Sequence, residues 1–208
     1  MGRAGLLMLM LLALPGMGRA DPASACLDTG GDLAAALGAL EADGWAAVDL
    51  AAPLPDAVAA SALWPLAAVY LSADTGGAPL SEIVAMQRRA VEGLARKRDL
   101  PGARTRLLAR DGAGGVETVL LTVVQVLPGM AELSCRFALA DPAGAAAPET
   151  PGGVQVSRAR FEAAATGGFR SVQSTALDPE AIALRLGGPV PVTLVVETTL
   201  RYPSEVPQ

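Results

Sequence analysis

The chain has 208 residues, of which 51% are hydrophobic and 18% charged, with a formal net charge of −5 and no histidine. This composition predicts a folded globular protein of one or at most two domains, and it excludes disordered, collagen-like and disulfide-dense proteins. The absence of histidine excludes a Ser-His-Asp triad, histidine metal sites and a histidine pH switch. The high Ala and Gly content and the preference for Arg over Lys are typical of a GC-rich bacterial genome.

The N-terminus has the pattern of a secretory signal. Arg3 precedes an apolar run over residues 6–14, which is too short to span a bilayer because spanning needs about 20 apolar residues. Small residues up to Ala20 predict cleavage after that position. We therefore predict a signal peptide over residues 1–20 and a single exported domain over residues 21–208, periplasmic or secreted, with no transmembrane segment in the mature chain.

Three helices are predicted in the first half of the chain from apolar residues at helical spacing. They span residues 32–43, 55–72 and 82–98. Pro65 kinks the second helix or splits it in two. Ser81 is predicted to cap the third helix. The buried face of that third helix comprises Ile83, Met86, Ala90, Val91 and Leu94.

After the third predicted helix, the spacing of apolar residues changes from a helical to a strand-like period. Alternating residues and two turn signals predict a three-stranded antiparallel meander, with strands over residues 104–110, 116–126 and 131–140. Residues 141–153 are rich in Pro and Gly and predict an exposed loop. The remaining predicted elements are helices over residues 157–165 and 178–186 and a last strand over residues 192–202.

Together these elements predict an α+β fold. Its N-terminal helices pack on one face of an antiparallel sheet of about four strands, formed by the meander and the C-terminal strand. Trp45, Trp64 and Tyr70 are interpreted as core residues rather than as the lining of a ligand-binding pocket, because aromatic side chains are few in this chain.

Cys26 and Cys135 are the two cysteines of the chain, and an even number in an exported protein favours a disulfide. Cys135 alternates with polar residues, so it faces the core. The bond would close a loop of about 110 residues, worth roughly 4–5 kcal/mol. The alternatives are two reduced thiols, a redox pair, or cleavage after Ala25 with acylation of Cys26, which would make the protein a lipid-anchored envelope component.

The sequence predicts no catalytic residue, no metal site and no cofactor. It contains no Gly-x-Ser-x-Gly or Ser-x-x-Lys motif, no calcium-loop spacing and no zinc ligand set. Paired carboxylates are the remaining route to an enzyme, a carboxylate-dependent hydrolase, and Glu117, Glu132 and Glu197 are those on predicted strands. Cross-strand pairing with basic neighbours explains them without catalysis.

The basic residues are unevenly distributed. Half of the sixteen lie between positions 88 and 110, where two acidic residues leave a segment charge of +6, while the mature chain carries −7. These eight residues are Arg88, Arg89, Arg96, Lys97, Arg98, Arg104, Arg106 and Arg110. They form either a solvated face or an anion-facing patch for an acidic protein partner or an anionic envelope component such as a phospholipid headgroup. Nucleic acid is excluded, because no aromatic residues are interleaved with the arginines.

The sequence therefore predicts a small exported, periplasmic bacterial protein that acts as a non-catalytic binding or interaction module. A carboxylate-dependent hydrolase and a lipid-anchored envelope component through Cys26 are the alternatives.

Overall fold

A computed structural model describes residues 23–72, 79–97, 99–100, 103–140, 155–163 and 168–204. The predicted signal peptide over residues 1–20 and the predicted loop over residues 141–153 lie outside the described residues.

The described residues form one antiparallel sheet of eight strands. In chain order these are β1 (Ala46–Ala47), β2 (Asp99–Leu100), β3 (Ala103–Gly112), β4 (Gly115–Leu127), β5 (Met130–Leu139), β6 (Gln155–Ala163), β7 (Phe169–Leu177) and β8 (Leu194–Pro203). Seven of them follow the spatial order β1-β3-β4-β5-β8-β7-β6, and β2 pairs with the start of β3.

The helices of the described chain are α1 (Ser24–Leu27), α2 (Leu33–Ala42), α3 (Asp56–Ser72), α4 (Leu80–Glu92) and α5 (Pro179–Leu186), with a 3₁₀ turn at Leu94–Arg96. Two of them begin at an aspartate whose carboxylate accepts hydrogen bonds from backbone N–H groups of the first turn. Asp32 does so for α2 and Asp178 for α5. The glycine after α5, Gly187, has a φ of 70° and ends that helix.

The sheet is covered by helices on both faces. Successive side chains of a strand point to opposite faces of the sheet. Leu107 and Leu120 lie on one face, where they pack with α3, α4 and α5; we call this the α3 face. Leu108 and Val119 point to the opposite face, where they pack with α1 and α2; we call this the α2 face.

The predicted fold class is wrong in the size of the sheet and in the placement of the helices. The meander and the C-terminal strand are present, but the sheet has twice the predicted number of strands, and helices cover both faces rather than one. Residues 157–165, predicted as a helix, belong largely to β6, which pairs with β7 over nine residues. Charged residues alternate with Ala and Phe over residues 158–163, which is a strand pattern, and the ladder satisfies the backbone N–H and C=O groups of this segment.

The predicted helices in the first half of the chain are present, with two differences. α3 continues through Pro65 without a break, so the helix is not split. α4 ends at Glu92, earlier than predicted, and Pro79 rather than Ser81 precedes its first turn. Its buried face includes Ile83, Val84, Gln87 and Val91, whereas Met86 is 38% exposed.

The predicted disulfide between Cys26 and Cys135 is confirmed. The two Cα atoms are 6.5 Å apart, and both side chains are buried in the core of the α2 face. The bond fixes the four-residue α1 against the centre of the sheet. Because acylation would need the Cys26 sulfur, which is bonded here, the disulfide and a lipid anchor on Cys26 exclude each other in one molecule. In the described part of the chain, no helix has the length and apolar character to cross a membrane.

Candidate functional site

A cavity of about 850 Å³ opens on the α3 face of the molecule, between α3, α4 and the segments that precede α3 and follow α5. This volume lies within the range of about 300–1,000 Å³ typical of small-molecule sites. Its wall residues are Leu50, Ala52, Pro53, Leu54, Asp56, Ala59, Ala60, Leu63, Trp64, Ser81, Val84, Ala85, Arg88, Val91, Glu92, Leu94, Ala95, Leu186, Gly188, Pro189 and Pro191.

The local sequence explains why space is left there. α3 presents Ala59 and Ala60 to the cavity and α4 presents Ala85, so the helix walls facing the cavity carry small side chains at these points. The remaining walls contain prolines at 53, 189 and 191. Proline has no backbone N–H to donate, so these segments do not extend a neighbouring helix or add a strand that would fill the gap.

The cavity is apolar inside and charged at its mouth. Leu63, Trp64 and Val91 are buried in the core that forms its floor. Asp56, Arg88 and Glu92 lie on its wall and are exposed. This arrangement can take up an apolar group and keep an attached polar group at the surface.

The interpretation of the aromatic residues as core was right for two of three. Trp45 is buried in the core of the α2 face, with its ring centroid 5.9 Å from that of Phe137. Trp64 is buried but also lines the cavity, so for this residue the core and pocket interpretations both hold. Tyr70 is exposed.

The structure does not bring the eight basic residues together. Arg88, Arg89, Arg96 and Lys97 are exposed on α4 and on the turns that follow it. Arg104 and Arg106 point to the α2 face, so the sheet lies between them and α4. Arg98 lies outside the described residues.

Arg110 is held inside the protein, contrary to the expectation that the basic residues form a solvated face or an anion-facing patch. Its Nη1 lies 2.6 Å from Asp43 Oδ2, its Nε lies 2.8 Å from Glu117 Oε2, and its side chain is 8% exposed. Its guanidinium also stacks 4.1 Å from the ring centroid of Trp45. The reason is that α2 ends next to this end of β3, so that Asp43, which directly follows α2, contacts the Arg110 guanidinium.

The three strand carboxylates are paired with arginines, as cross-strand charge pairing predicts. Glu132 Oε2 lies 2.7 Å from Arg201 Nη2, and Glu197 Oε1 lies 2.8 Å from Arg136 Nε. Both pairs lie on the face opposite to Glu117. The three carboxylates therefore do not converge on one cleft. The described residues also contain no group of three or more His, Cys, Asp or Glu side chains arranged to hold a metal ion.

No protein-family model matches this chain, and neither does any curated protein or solved structure. The cavity and the charged residues around it are therefore the basis on which a function can be inferred.

Proposed function

We propose that this protein is an exported, non-catalytic binding protein that takes a small, largely apolar molecule into the cavity between α3 and α4. The observation that carries the proposal is the combination of an apolar floor with a charged mouth in a space of about 850 Å³. Burying an apolar group against Leu63, Trp64 and Val91 removes its surface from water, which contributes about 25 cal/mol for each Å².

The mouth residues indicate how such a molecule would be oriented. Arg88 and Glu92 stand one helical turn apart on α4, and Asp56 lines the same cavity from the first turn of α3. A polar head at this position stays in contact with water and with charges of both signs, while the apolar body points toward Trp64. Export is supported by the disulfide, because disulfides form and persist mainly in oxidising compartments.

The proposal is tested by replacing an alanine of α3 that lines the cavity with phenylalanine. The control is the same replacement at an alanine of α3 that does not line the cavity. Ala60 lines the cavity and is exposed, and Ala57, one turn earlier, is exposed and does not line it. We expect Ala60→Phe to weaken binding of the apolar fluorescent probe N-phenyl-1-naphthylamine by about tenfold or more, because overfilling an apolar space costs about 1–3 kcal/mol. Ala57→Phe should leave probe binding unchanged.

Probe emission titrated against protein concentration gives the dissociation constants. Equal binding by the wild type, Ala60→Phe and Ala57→Phe would place the probe elsewhere and contradict the proposal. Absence of probe binding by the wild type would contradict it as well. Ala85→Phe narrows the same cavity from α4 and should behave as Ala60→Phe does.

A carboxylate-dependent hydrolase is the second candidate, because Asp56 and Glu92 both line the cavity. Hydrolysis of chromogenic ester or glycoside substrates that is lost in both Asp56→Asn and Glu92→Gln would favour the hydrolase. Under the binding proposal, neither substitution removes probe binding and the wild type shows no turnover.

A further inference from the structure

The α3 face of the sheet is apolar at one end and polar at the other. At the apolar end, Ala138 of β5 and Val195 of β8 stand opposite each other and belong to the core. Further along the same strands, polar side chains take the positions that point to this face. They are half-buried rather than enclosed, so a molecule in solution can reach this part of the sheet.

A row of hydroxyl side chains crosses the polar end. Thr122 of β4 stands opposite Ser134 of β5, Ser134 opposite Thr199 of β8, and Thr199 opposite Ser171 of β7. Residues directly opposite each other in a ladder point to the same face, so these four side chains lie side by side. We call them the hydroxyl row. Neighbouring strands are about 4.8 Å apart, so the row is about 14 Å long.

Three hydroxyls of the row are available to a ligand. The side chains of Thr122, Thr199 and Ser171 form no hydrogen bond with any other residue that the structure describes. The fourth hydroxyl, Ser134 Oγ, is enclosed by its neighbours and does not reach solvent. Because a hydroxyl both donates and accepts hydrogen bonds, the row offers both kinds of partner.

The charges beside the hydroxyl row are balanced. Arg136 pairs with Glu197 on one side of the row, and Arg201 pairs with Glu132 on the other. These four side chains are 21–36% exposed. Gln173, which stands opposite Glu197, adds a neutral amide. Two cations paired with two carboxylates attract neither anions nor cations strongly, so the surface favours a neutral polar ligand.

Aromatic rings lie at the β6 end of the row. Phe161 of β6 stands opposite Ser171 and is 72% exposed. Phe169 of β7 is its diagonal neighbour on the same face, and the Arg201 guanidinium lies 4.6 Å from the centroid of the Phe169 ring. The chain has three phenylalanines, so two of the three are on this polar surface. Contact with water accounts for polar residues on an antiparallel sheet face, but it does not account for a large exposed ring beside them.

We propose that this surface binds a neutral oligosaccharide. The ring of Phe161 packs against the C–H face of one sugar ring, and the hydroxyls of Ser171 and Thr199 exchange hydrogen bonds with sugar hydroxyls. A sugar combines an apolar C–H face with groups that donate and accept, which matches an aromatic ring beside a hydroxyl row.

The neighbouring ion pair adds fixed polar groups to the same site. Arg136 donates from Nε to Glu197 Oε1 at 2.8 Å, which leaves the Nη groups of Arg136 as further donors and Glu197 Oε2 as a further acceptor. Among the described residues, none of the sheet lines the cavity between α3 and α4, so the two sites are separate.

The proposal is tested by isothermal titration calorimetry with three neutral hexasaccharides, namely maltohexaose, cellohexaose and N-acetylated chitohexaose. We expect at least one to bind, with a dissociation constant that changes less than about twofold between about 0.05 and 0.5 M salt. Phe161→Ala should raise that constant about tenfold, because about 50 Å² of apolar contact is lost. Leu184→Ala is the control: it removes another apolar side chain, 90% exposed on α5, and should leave the constant unchanged.

Two further variants separate the parts of the site. Thr199→Val keeps the shape of the side chain and removes its hydroxyl, and it should weaken binding about fivefold. Ala60→Phe, which fills the cavity on the α3 face, should leave hexasaccharide binding unchanged.

Several results would overturn the proposal. One is the absence of binding by all three hexasaccharides, and another is equal affinity of the wild type and Phe161→Ala. Equal losses in Phe161→Ala and Leu184→Ala would indicate unspecific apolar contact, and loss of binding in high salt would indicate charge attraction. Wild-type affinity in Thr199→Val would show that the hydroxyl row does not bind the sugar, and loss of affinity in Ala60→Phe would place the sugar in the cavity.

Discussion

Reduction of the disulfide between Cys26 and Cys135 should destabilise the protein by about 4–5 kcal/mol. The bond joins residues 109 positions apart, so it removes a large part of the conformational entropy of the unfolded chain. In the chain-entropy model a closed loop of this size is worth about 4–5 kcal/mol at 25 °C. In the folded state, both cysteines remain buried in the core of the α2 face, so few native contacts depend on the covalent bond itself.

The assay is urea unfolding of the same chain with and without a phosphine reductant. Tryptophan emission reports the transition, because both tryptophans are buried in the folded protein. With a urea dependence of about 2 kcal/mol per molar, the expected loss of stability moves the midpoint down by about 2 M. The Cys26→Ala, Cys135→Ala double variant should unfold near the midpoint of the reduced protein and should not respond to the reductant.

A midpoint shift that corresponds to less than about 1 kcal/mol would refute this reasoning, because it would mean that the unfolded chain is not restrained by the bond. An equal response of the double variant to the reductant would also refute it, since the effect would then arise from something other than the disulfide.

Three further predictions concern single residues. Arg110→Ala removes the cation paired with the Glu117 carboxylate, which is 1% exposed, and should lower the free energy of unfolding in urea by about 3–5 kcal/mol. The double variant Arg110→Met, Glu117→Leu removes both charges and should recover most of this loss. If it recovers none, the loss does not arise from the unpaired charge. Burial raises the pKa of Tyr202, which means that the folded state prefers the neutral phenol, so stability should fall as the pH rises above about 10 and continue to fall until the folded protein also ionises. Absorbance at 295 nm, with Tyr202→Phe as the reference, measures that ionisation, and a pKa at or below about 10 would contradict the prediction. Gly187→Ala should lower the free energy of unfolding by about 1–2 kcal/mol, because φ is 70° at this position. Gly188→Ala should leave stability unchanged, because that position has no positive φ and has open space around it. Equal shifts of the melting temperature in the two variants would show that the left-handed backbone is not the cause.

Local signals in the sequence were enough to predict several elements. The starts of α2 and α5 follow from Asp32 and Asp178, because a capping carboxylate acts on the backbone two or three residues away. The meander follows from alternation and short turns, and the buried position of Cys135 follows from the same alternation.

Other features depend on partners that are distant in the sequence. β6 pairs with β7 along its whole length, and the alternation of charged residues with Ala and Phe over residues 158–163 is a strand pattern that the helical prediction missed. Arg110 is buried because Asp43, which is 67 residues earlier, reaches it at the end of α2. The cavity was not predicted, because its wall comes from several separate segments, and none of them carries a recognisable motif.

The α1 and α2 layer is attached to the sheet by the disulfide at Cys26, by the contact of Asp43 with Arg110, and by Arg170, which donates a hydrogen bond to the carbonyl oxygen of Leu27. The chain from Leu27 to Asp43 carries Gly31 and Leu33 in the wall of a groove of about 340 Å³ on the α2 face. These contacts fix the shape of the groove, whereas the cavity on the α3 face is built from elements that none of them involves. Because the disulfide acts mainly by restraining the unfolded chain, its reduction should weaken the whole fold together rather than release α1 and α2 from the sheet.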